Sequence, residues 1–379
     1  MKIGIVVPFS WSFWGAVVEH GELQAQALEA RGHEVRLVMG NDPPGQFTRV
    51  LHPRVGRHGD PPPNVIPIGR SVIVPANGSL PNVILSPRAI LRIKRVLERE
   101  RFDVLHLHEP MTPVTCIAVL AMATAPIVVT HHASGDLGYM KGAKPVLGFL
   151  ANRIDKRLAV SERARDSAAR WLPGDYEIVP NGVLIPDTAD PSGREHTVTF
   201  AGRQETRKGL QVLLRAWPEI HRRTGARLQV CGADPLAVRL LLTRLRVHDD
   251  GIDILGLLSQ EELTSLLART KALIAPSLGG ESFGMVLTRA YACALPVIAS
   301  DIPGYREVLT PEAAVSVPPD DAVALAEATI SLLGDESRRV GMGAAGRQVA
   351  VQRYAWSDIA ARLEGIYARA IAEAQAPAA

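Results

Sequence analysis

Short apolar runs alternate with longer stretches whose apolar residues recur every three or four positions, and this alternation continues along nearly the whole chain. Residues 3–7 read as a strand, and residues 17–31 carry helical periodicity. Gly32-His33 closes that helix, and residues 34–39 form the next strand. Residues 41–64 hold clustered prolines and glycines and are expected to be irregular. A helix over 88–101 leads into a strand at 104–108. A buried helix, a strand at 127–130, a helix near 145–157 and short strands at 158–160 and 177–180 follow. The breaker cluster at 186–193 is the expected linker. Beyond it the alternation restarts, with strands at 198–201, 228–231, 252–255, 272–275 and 296–299. Helices over 209–223, 236–246, 260–269 and 284–293 separate them. The pattern predicts an α/β protein with two Rossmann-like parallel-sheet domains, 1–185 and 194–355, and a C-terminal segment, 356–379. Open parallel sheets bind ligands outside the carboxyl ends of their strands, so residues just past each strand are the site candidates.

Composition narrows the class. A chain of 379 residues with 47% hydrophobic and 21% charged residues is globular rather than disordered. A net charge of +3 gives no argument for nucleic acid as a partner. The charge is uneven, +5 over 1–185 and −2 over 186–379, so an anionic surface would meet the first half. Cys116, Cys231 and Cys293 lie far apart in apolar stretches, without disulfide or thiolate-metal spacing, which points to a reducing cytoplasm. The opening apolar run is too short for a signal peptide. Residues 111–130 are uncharged and long enough to span a bilayer, but Pro113, Pro126 and a β-branched ending favour a buried helix followed by a strand.

Candidate chemistry sits where the strands end. Phe9, Trp11, Phe13 and Trp14 crowd the first loop before Gly15-Ala16, either as a hydrophobic plug or as a platform for a sugar or lipid acceptor. The dinucleotide fingerprint GxGxxG is absent there, which argues against NAD or FAD. His106, His108 and Glu109 end one strand, and His131 and His132 end another. These could supply a metal, yet a metal needs three or four convergent ligands, so polar cleft walls are the favoured reading. His132 is then the residue most suited to touch substrate. Gly202-Arg203, followed by Arg207-Lys208-Gly209 at a helix start, suits a diphosphate, although a solvated basic turn remains open. In the glycine-rich loop at 278–285, Gly279 and Gly280 allow close backbone approach, and the amides of Ser282, Phe283 and Gly284 suit an anion. Glu281 beside a diphosphate is a costly placement unless it grips hydroxyls, and a sugar fits.

These residues make the chain resemble a retaining glycosyltransferase of family 4 with the GT-B fold, most similar to the phosphatidylinositol mannosyltransferases of actinobacteria. The likeness runs from the first loop to His20, through residues 103–110, Thr130-His131-His132, Ala159-Val160-Ser161 and 179–183. It continues through Gly202-Arg203, Arg207-Lys208-Gly209 and 279–284 to Arg353-Tyr354-Ala355-Trp356. It implies two domains facing across a cleft, acceptor side first and donor side second, with the C-terminal helix crossing back onto the first domain. Arg203 and Lys208 would neutralise the donor's diphosphate, Glu281 would hold the transferred sugar's hydroxyls, and His132 would sit near sugar and acceptor. The donor site would take in Gly15, Ala16, Gly202, Gly279, Gly280, Ser282, Phe283, Gly284 and Arg289. The acceptor site would take in Phe9, Trp11, Trp14, His20 and Ala133. No cofactor is required; Mg2+ is allowed only as a companion of the donor diphosphate.

Three positions depart from the family pattern. Arg289 stands where a second glutamate usually holds the nucleotide ribose, and an arginine accepts no hydrogen bonds. Ala16 replaces the second of two glycines in the first loop, and Leu137 replaces a lysine associated with the acceptor's phosphate, with Lys141 and Lys144 nearby. Arg88, Arg92, Arg95 and Arg99 line one helical face, with Ile90, Ile93 and Leu97 on another, either as a solvated face or as a surface for anionic lipid. The expectation is a cytoplasmic enzyme, peripheral at the inner face of the plasma membrane. It would move a hexose, mannose for preference, from a nucleotide diphosphate sugar such as GDP-mannose to a lipid or polyol acceptor. Two other readings share these motifs: a weakened relative that binds nucleotide or lipid without transfer, and a nucleotide-sugar epimerase.

Overall fold

In a computed structural model of the protein, residues 1–52, 60–74, 81–133, 144–190 and 192–376 are described. They divide into two compact units, 1–182 with 356–379, and 183–355. The expected linker at 186–193 therefore falls inside the second unit, where the Pro186 carbonyl accepts a 2.6 Å hydrogen bond from Arg347.

The first unit begins with β1 (Lys2–Ser10), α1 (Ala16–Glu29) and β2 (Glu34–Gly40). Then come α2 (Gln46–Leu51), β3 (Val65–Pro67), β4 (Val72–Ile73), β5 (Asn82–Val83) and α3 (Pro87–Glu100). The unit continues with β6 (Val104–His108), α4 (Thr115–Met122), β7 (Ile127–His131), α5 (Lys144–Ala151), β8 (Lys156–Ala159), α6 (Glu162–Ala169) and β9 (Tyr176–Ile178). The main sheet runs β3-β2-β1-β6-β7-β8-β9 and is parallel throughout. Departing from the all-parallel expectation, β5 pairs antiparallel with both β1 and β4. Side chains alternate along β1, so Ile3, Ile5 and Val7 enter a different core cluster from Val6. The strand order reverses between β1 and β6, which makes the loops after these strands a switch point.

The second unit comprises β10 (Thr197–Ala201), α7 (Leu210–Thr224), β11 (Arg227–Cys231), α8 (Pro235–Leu245), β12 (Ile252–Gly256) and α9 (Gln260–Arg269). It continues with β13 (Ala272–Ala275), α10 (Met285–Ala292), β14 (Val297–Ser300), α11 (Pro303–Arg306), β15 (Ala314–Val317), α12 (Ala322–Gly334) and α13 (Glu336–Tyr354). Its sheet, β12-β11-β10-β13-β14-β15, is wholly parallel, with the switch point between β10 and β13. The core beneath α7 and α12 gathers Val198, Phe200, Leu213, Trp217, Val230 and Leu332.

Helix α14 (Trp356–Gln375) belongs to the first unit, where Trp356, Leu363 and Tyr367 enter the core that holds Ile3 and Ile5. A Cβ on Gly182 would lie 2.3 Å from the Trp356 ring, so this glycine is what lets the indole close on the backbone after β9. The stretch 111–130 is one short helix, α4, followed by β7. Among the described residues no helix is long and apolar enough to cross a membrane.

Candidate active site

In the second unit, both loops at the switch point carry charge. After β10 the chain turns at Gly202, passes Arg203 and Glu205, and makes a single tight helical turn, Thr206–Lys208, ended by Gly209 in the left-handed region. After β13 comes the glycine loop, with positive φ at Gly279, Gly280 and Gly284, and then α10. The Leu278 amide donates to the Arg207 carbonyl at 2.7 Å, which fastens the two loops to each other.

Glu281 is buried between two cations. Arg207 Nη1 lies 2.7 Å from its Oε1, and Lys208 Nζ lies 2.9 Å from Oε1 and 3.1 Å from Oε2. Arg207 also reaches Glu205 at 2.7 Å, and Glu205 holds Arg203 at 3.1 Å. Three cations thus face two carboxylates at the end of the sheet, an excess of positive charge suited to an anion. Behind Glu281, Ser277 Oγ donates to the carboxylate at 3.4 Å and bonds Tyr305 Oη at 2.8 Å. Burial and the neighbouring Glu281 charge push the Tyr305 phenol far up, so it stays a neutral hydrogen-bonding group. Gly304 lets α11 press on this loop, because a Cβ there would stand 1.9 Å from the Glu281 carbonyl oxygen.

The other donor-side candidates spread out. Phe283 is buried edge-on against Tyr354, with ring centroids 5.6 Å apart, so only its backbone can meet a ligand. Arg289 lies in the last turn of α10, half-buried, and burial pushes its guanidinium down to about 10. Gly15 and Ala16 are exposed at the start of α1, and a Cβ on Gly15 would meet only Val18 at 3.9 Å, so this turn is not tight.

In the first unit, the aromatic loop is mostly a plug. Trp11 and Phe13 are buried, Phe9 packs partly on the core, and of the four rings Trp14 is the open one, at 40% exposure. Trp11 is therefore a core residue rather than an acceptor platform, because the loop after β1 folds down onto the sheet. His20 is likewise buried, its ring 4.8 Å from His132 and 4.9 Å from Trp356. The register His108 to Thr130 between β6 and β7 puts His132, two residues on, beside His108, and their nitrogens are 2.8 Å apart. His106 stacks on His108 but is committed to Thr130 at 2.7 Å and Tyr367 at 2.6 Å. His131 points elsewhere, towards Tyr176. Glu109, with φ at 50°, accepts the amides of His132 at 2.9 Å and Ala133 at 2.7 Å, so the Ala133 amide is spent on this clamp. Leu137 and Lys141, with the side chain of Lys144, lie outside the described residues.

Burial drives these imidazoles down, with repulsion from neighbouring histidines adding to it at all but His132: His106, His131 and His132 to about 3, and His20 and His108 well below the usual range. Burial pushes Glu109 up. The histidines titrate near 6.5 when unfolded, so the unfolded chain binds more protons between about pH 6 and 3. Each such histidine then lowers stability by up to about 1.4 kcal/mol per pH unit as pH falls through that window. Glu109 acts in the opposite sense but is a single group. Acid unfolding with net proton uptake is expected to begin below about pH 6, measured by circular dichroism against pH. A stability that stays flat to pH 4 would contradict neutral buried imidazoles.

In α3, Arg88, Arg92, Arg95 and Arg99 are exposed. Arg99 pairs with Glu100, whereas Arg88, Arg92 and Arg95 have no ion-pair partner among the described residues. The buried face is Ala89, Ile93 and Val96, while Ile90 and Leu91 are exposed.

Two parallel-sheet α/β units are the architecture of the GT-B class, which the solved fold relatives share. The model of "Glycosyltransferase Family 4" matches residues 18–185, and that of "Glycosyl transferases group 1" matches residues 195–335. A phosphatidyl-myo-inositol mannosyltransferase from Mycobacterium leprae is 34% identical, covering 97% of this chain and 96% of its own. The protein belongs to glycosyltransferase family 4 and is an enzyme of that class. The fold is shared with sucrose-phosphate synthase from Thermosynechococcus elongatus (TM-score 0.74, 19% identity, 98% of this chain and 99% of the other). It is shared also with Anabaena HepE in complex with UDP and glucose (TM-score 0.71, 17% identity, 97% and 99%).

Sequence reasoning missed Glu205, Ser277, Tyr305 and Gly304. Among these, Gly304 after Pro303 at a strand end was a readable signal of close approach.

Proposed function

We propose that the enzyme transfers mannose from GDP-mannose to a lipid or polyol acceptor, with retention of anomeric configuration. The observation that carries the reading is the Glu281 carboxylate held between Arg207 and Lys208 at the switch point of the second unit. Identity to mannosyltransferases named for phosphatidyl-myo-inositol supports the sugar and directs attention first to an inositol phospholipid. The solved fold relative with UDP and glucose supports a nucleotide-sugar donor.

On this reading Lys208 and Arg203 stabilise the diphosphate as the bond to the anomeric carbon breaks, which is transition-state stabilisation by placed charge. Glu281 exchanges part of its ion pairing for the hydroxyls of the sugar. The acceptor hydroxyl attacks from the face the diphosphate leaves, and its proton passes to a phosphate oxygen of the leaving group. In the first unit His132, neutral and fixed by His108 and Glu109, is the residue proposed to touch substrate. Mass-spectrometric assay of GDP- and UDP-sugars against vesicles with and without phosphatidylinositol tests this. Mannosylated lipid from GDP-mannose is the expected product, and turnover of none of these donors would overturn the reading.

The exposed arginines of α3 support peripheral attachment to anionic lipid, each cation contributing roughly 1 kcal/mol near such a surface. Arg92→Glu with Arg95→Glu is expected to lower co-sedimentation with phosphatidylglycerol vesicles by at least about tenfold. Vesicles of phosphatidylcholine alone should show no difference between variant and parent.

A further inference from the structure

Three imidazoles from three elements meet past the end of the first sheet: His20 on α1, His108 ending β6 and His132 after β7. One ring nitrogen from each lies within 4.8 Å of the other two. His20 and His108 are buried, and His132 is partly open. Buried polar atoms are normally paired, as both nitrogens of His106 are, by Thr130 and Tyr367. The triad departs from that rule at His20 Nδ1, which is buried with no hydrogen-bond partner, while His108 Nδ1 meets His132 Nε2 at 2.8 Å. His20 Nδ1 thus has coordinating capacity that the protein's own groups do not use.

We propose that His20, His108 and His132 form a binding site for a divalent transition-metal ion of the zinc type. Three imidazoles with one open position suit zinc, cobalt, nickel or copper, whereas magnesium and calcium require oxygen donors. Two nitrogens bound to one tetrahedral ion at about 2.0–2.1 Å stand about 3.3 Å apart. The ion therefore replaces the 2.8 Å hydrogen bond between His108 and His132, and a shift of about half an ångström opens the pair. His132 becomes a ligand and is lost to the sugar, so zinc inhibits transfer. The inhibition rests on the role proposed for His132; the binding rests on the three rings alone.

The test titrates the untagged full-length protein with Co2+. One ion per chain is expected, with the strong visible absorption of a four- or five-coordinate centre that Zn2+ then bleaches. X-ray absorption at the cobalt edge is expected to count three imidazoles. His108→Asn and His20→Asn should each weaken binding by more than about tenfold, with folding followed by circular dichroism. Absence of stoichiometric binding, an all-oxygen six-coordinate spectrum, or binding unchanged in folded variants overturns the site. If a variant does not fold, the imidazole count in the parent protein decides. Tight binding with transfer unimpaired by Zn2+ would leave the site standing and remove His132 from the sugar pocket.

Discussion

Replacing Lys208 with alanine is expected to lower kcat/KM for sugar transfer by about 10²-fold, about 2.7 kcal/mol of transition-state stabilisation. The ammonium has no alternative post. It is half-buried, lies within 3.1 Å of both Glu281 oxygens, and sits at the end of a turn fixed by the left-handed Gly209. On the proposed function its charge is already placed when the diphosphate leaves, which is the condition under which a cation favours the transition state over the bound substrate. Lys208→Arg should recover little, since the planar fork occupies a different volume from a compact ammonium beside Arg207. Glu281→Gln is expected to act mainly through the sugar. Because Lys208 and Glu281 touch, the double variant should lose less than the two single losses combined. Steady-state kinetics on folded variants measure all four, and a loss below about threefold for Lys208→Ala would remove it from the leaving-group site.

What the sequence disclosed here, and what it withheld, follow from the range of the interactions. Parallel strands buried on both faces read as compact apolar runs, so β7, β13 and β14 were plain, and the glycine loop between β13 and α10 was plain from local residues alone. Arg207 was legible as a cation, but its contact with Glu281 spans more than seventy residues and depends on how two loops are fastened by the bond from Leu278 to Arg207. Alternation along β6 placed His106 and His108 on one face; that His20 joins them follows from how α1 lies on the sheet, which no periodicity records. The aromatic loop misled for a different reason. Tryptophan suits both a core and a sugar platform, and composition cannot say that Trp11 turns inward while Trp14 stays out. Helix α6 escaped because only eight residues carry it, although Ser161 caps it by accepting from the Ala164 amide at 3.0 Å.

Gly209→Ala should weaken nucleotide binding although the glycine has no side chain to lose. Its φ is 73°, and a Cβ would stand 1.7 Å from the Pro276 carbonyl oxygen and 2.6 Å from the Pro276 carbon. Neither side yields easily. On one side Gly209 begins α7, whose Leu210, Leu213 and Leu214 are locked in the core. On the other, Pro276 follows β13 directly, and its neighbour Ser277 is tied to Tyr305. Relief must come from parting the two loops, which breaks the bond from the Leu278 amide to the Arg207 carbonyl and draws Lys208 and Arg207 away from Glu281. Backbone strain of this kind costs on the order of 1–3 kcal/mol, and the lost contacts add to it. The variant is expected to melt several degrees lower and to bind GDP at least tenfold more weakly, about 1.4 kcal/mol. Gly193→Ala, also at positive φ but with nothing within 4 Å of the added methyl, supplies the control. It should cost some stability and leave GDP binding intact. Equal nucleotide affinity in the two variants, measured by calorimetry below both melting temperatures, would mean that the fastening of the loops does not set the geometry of the diphosphate site.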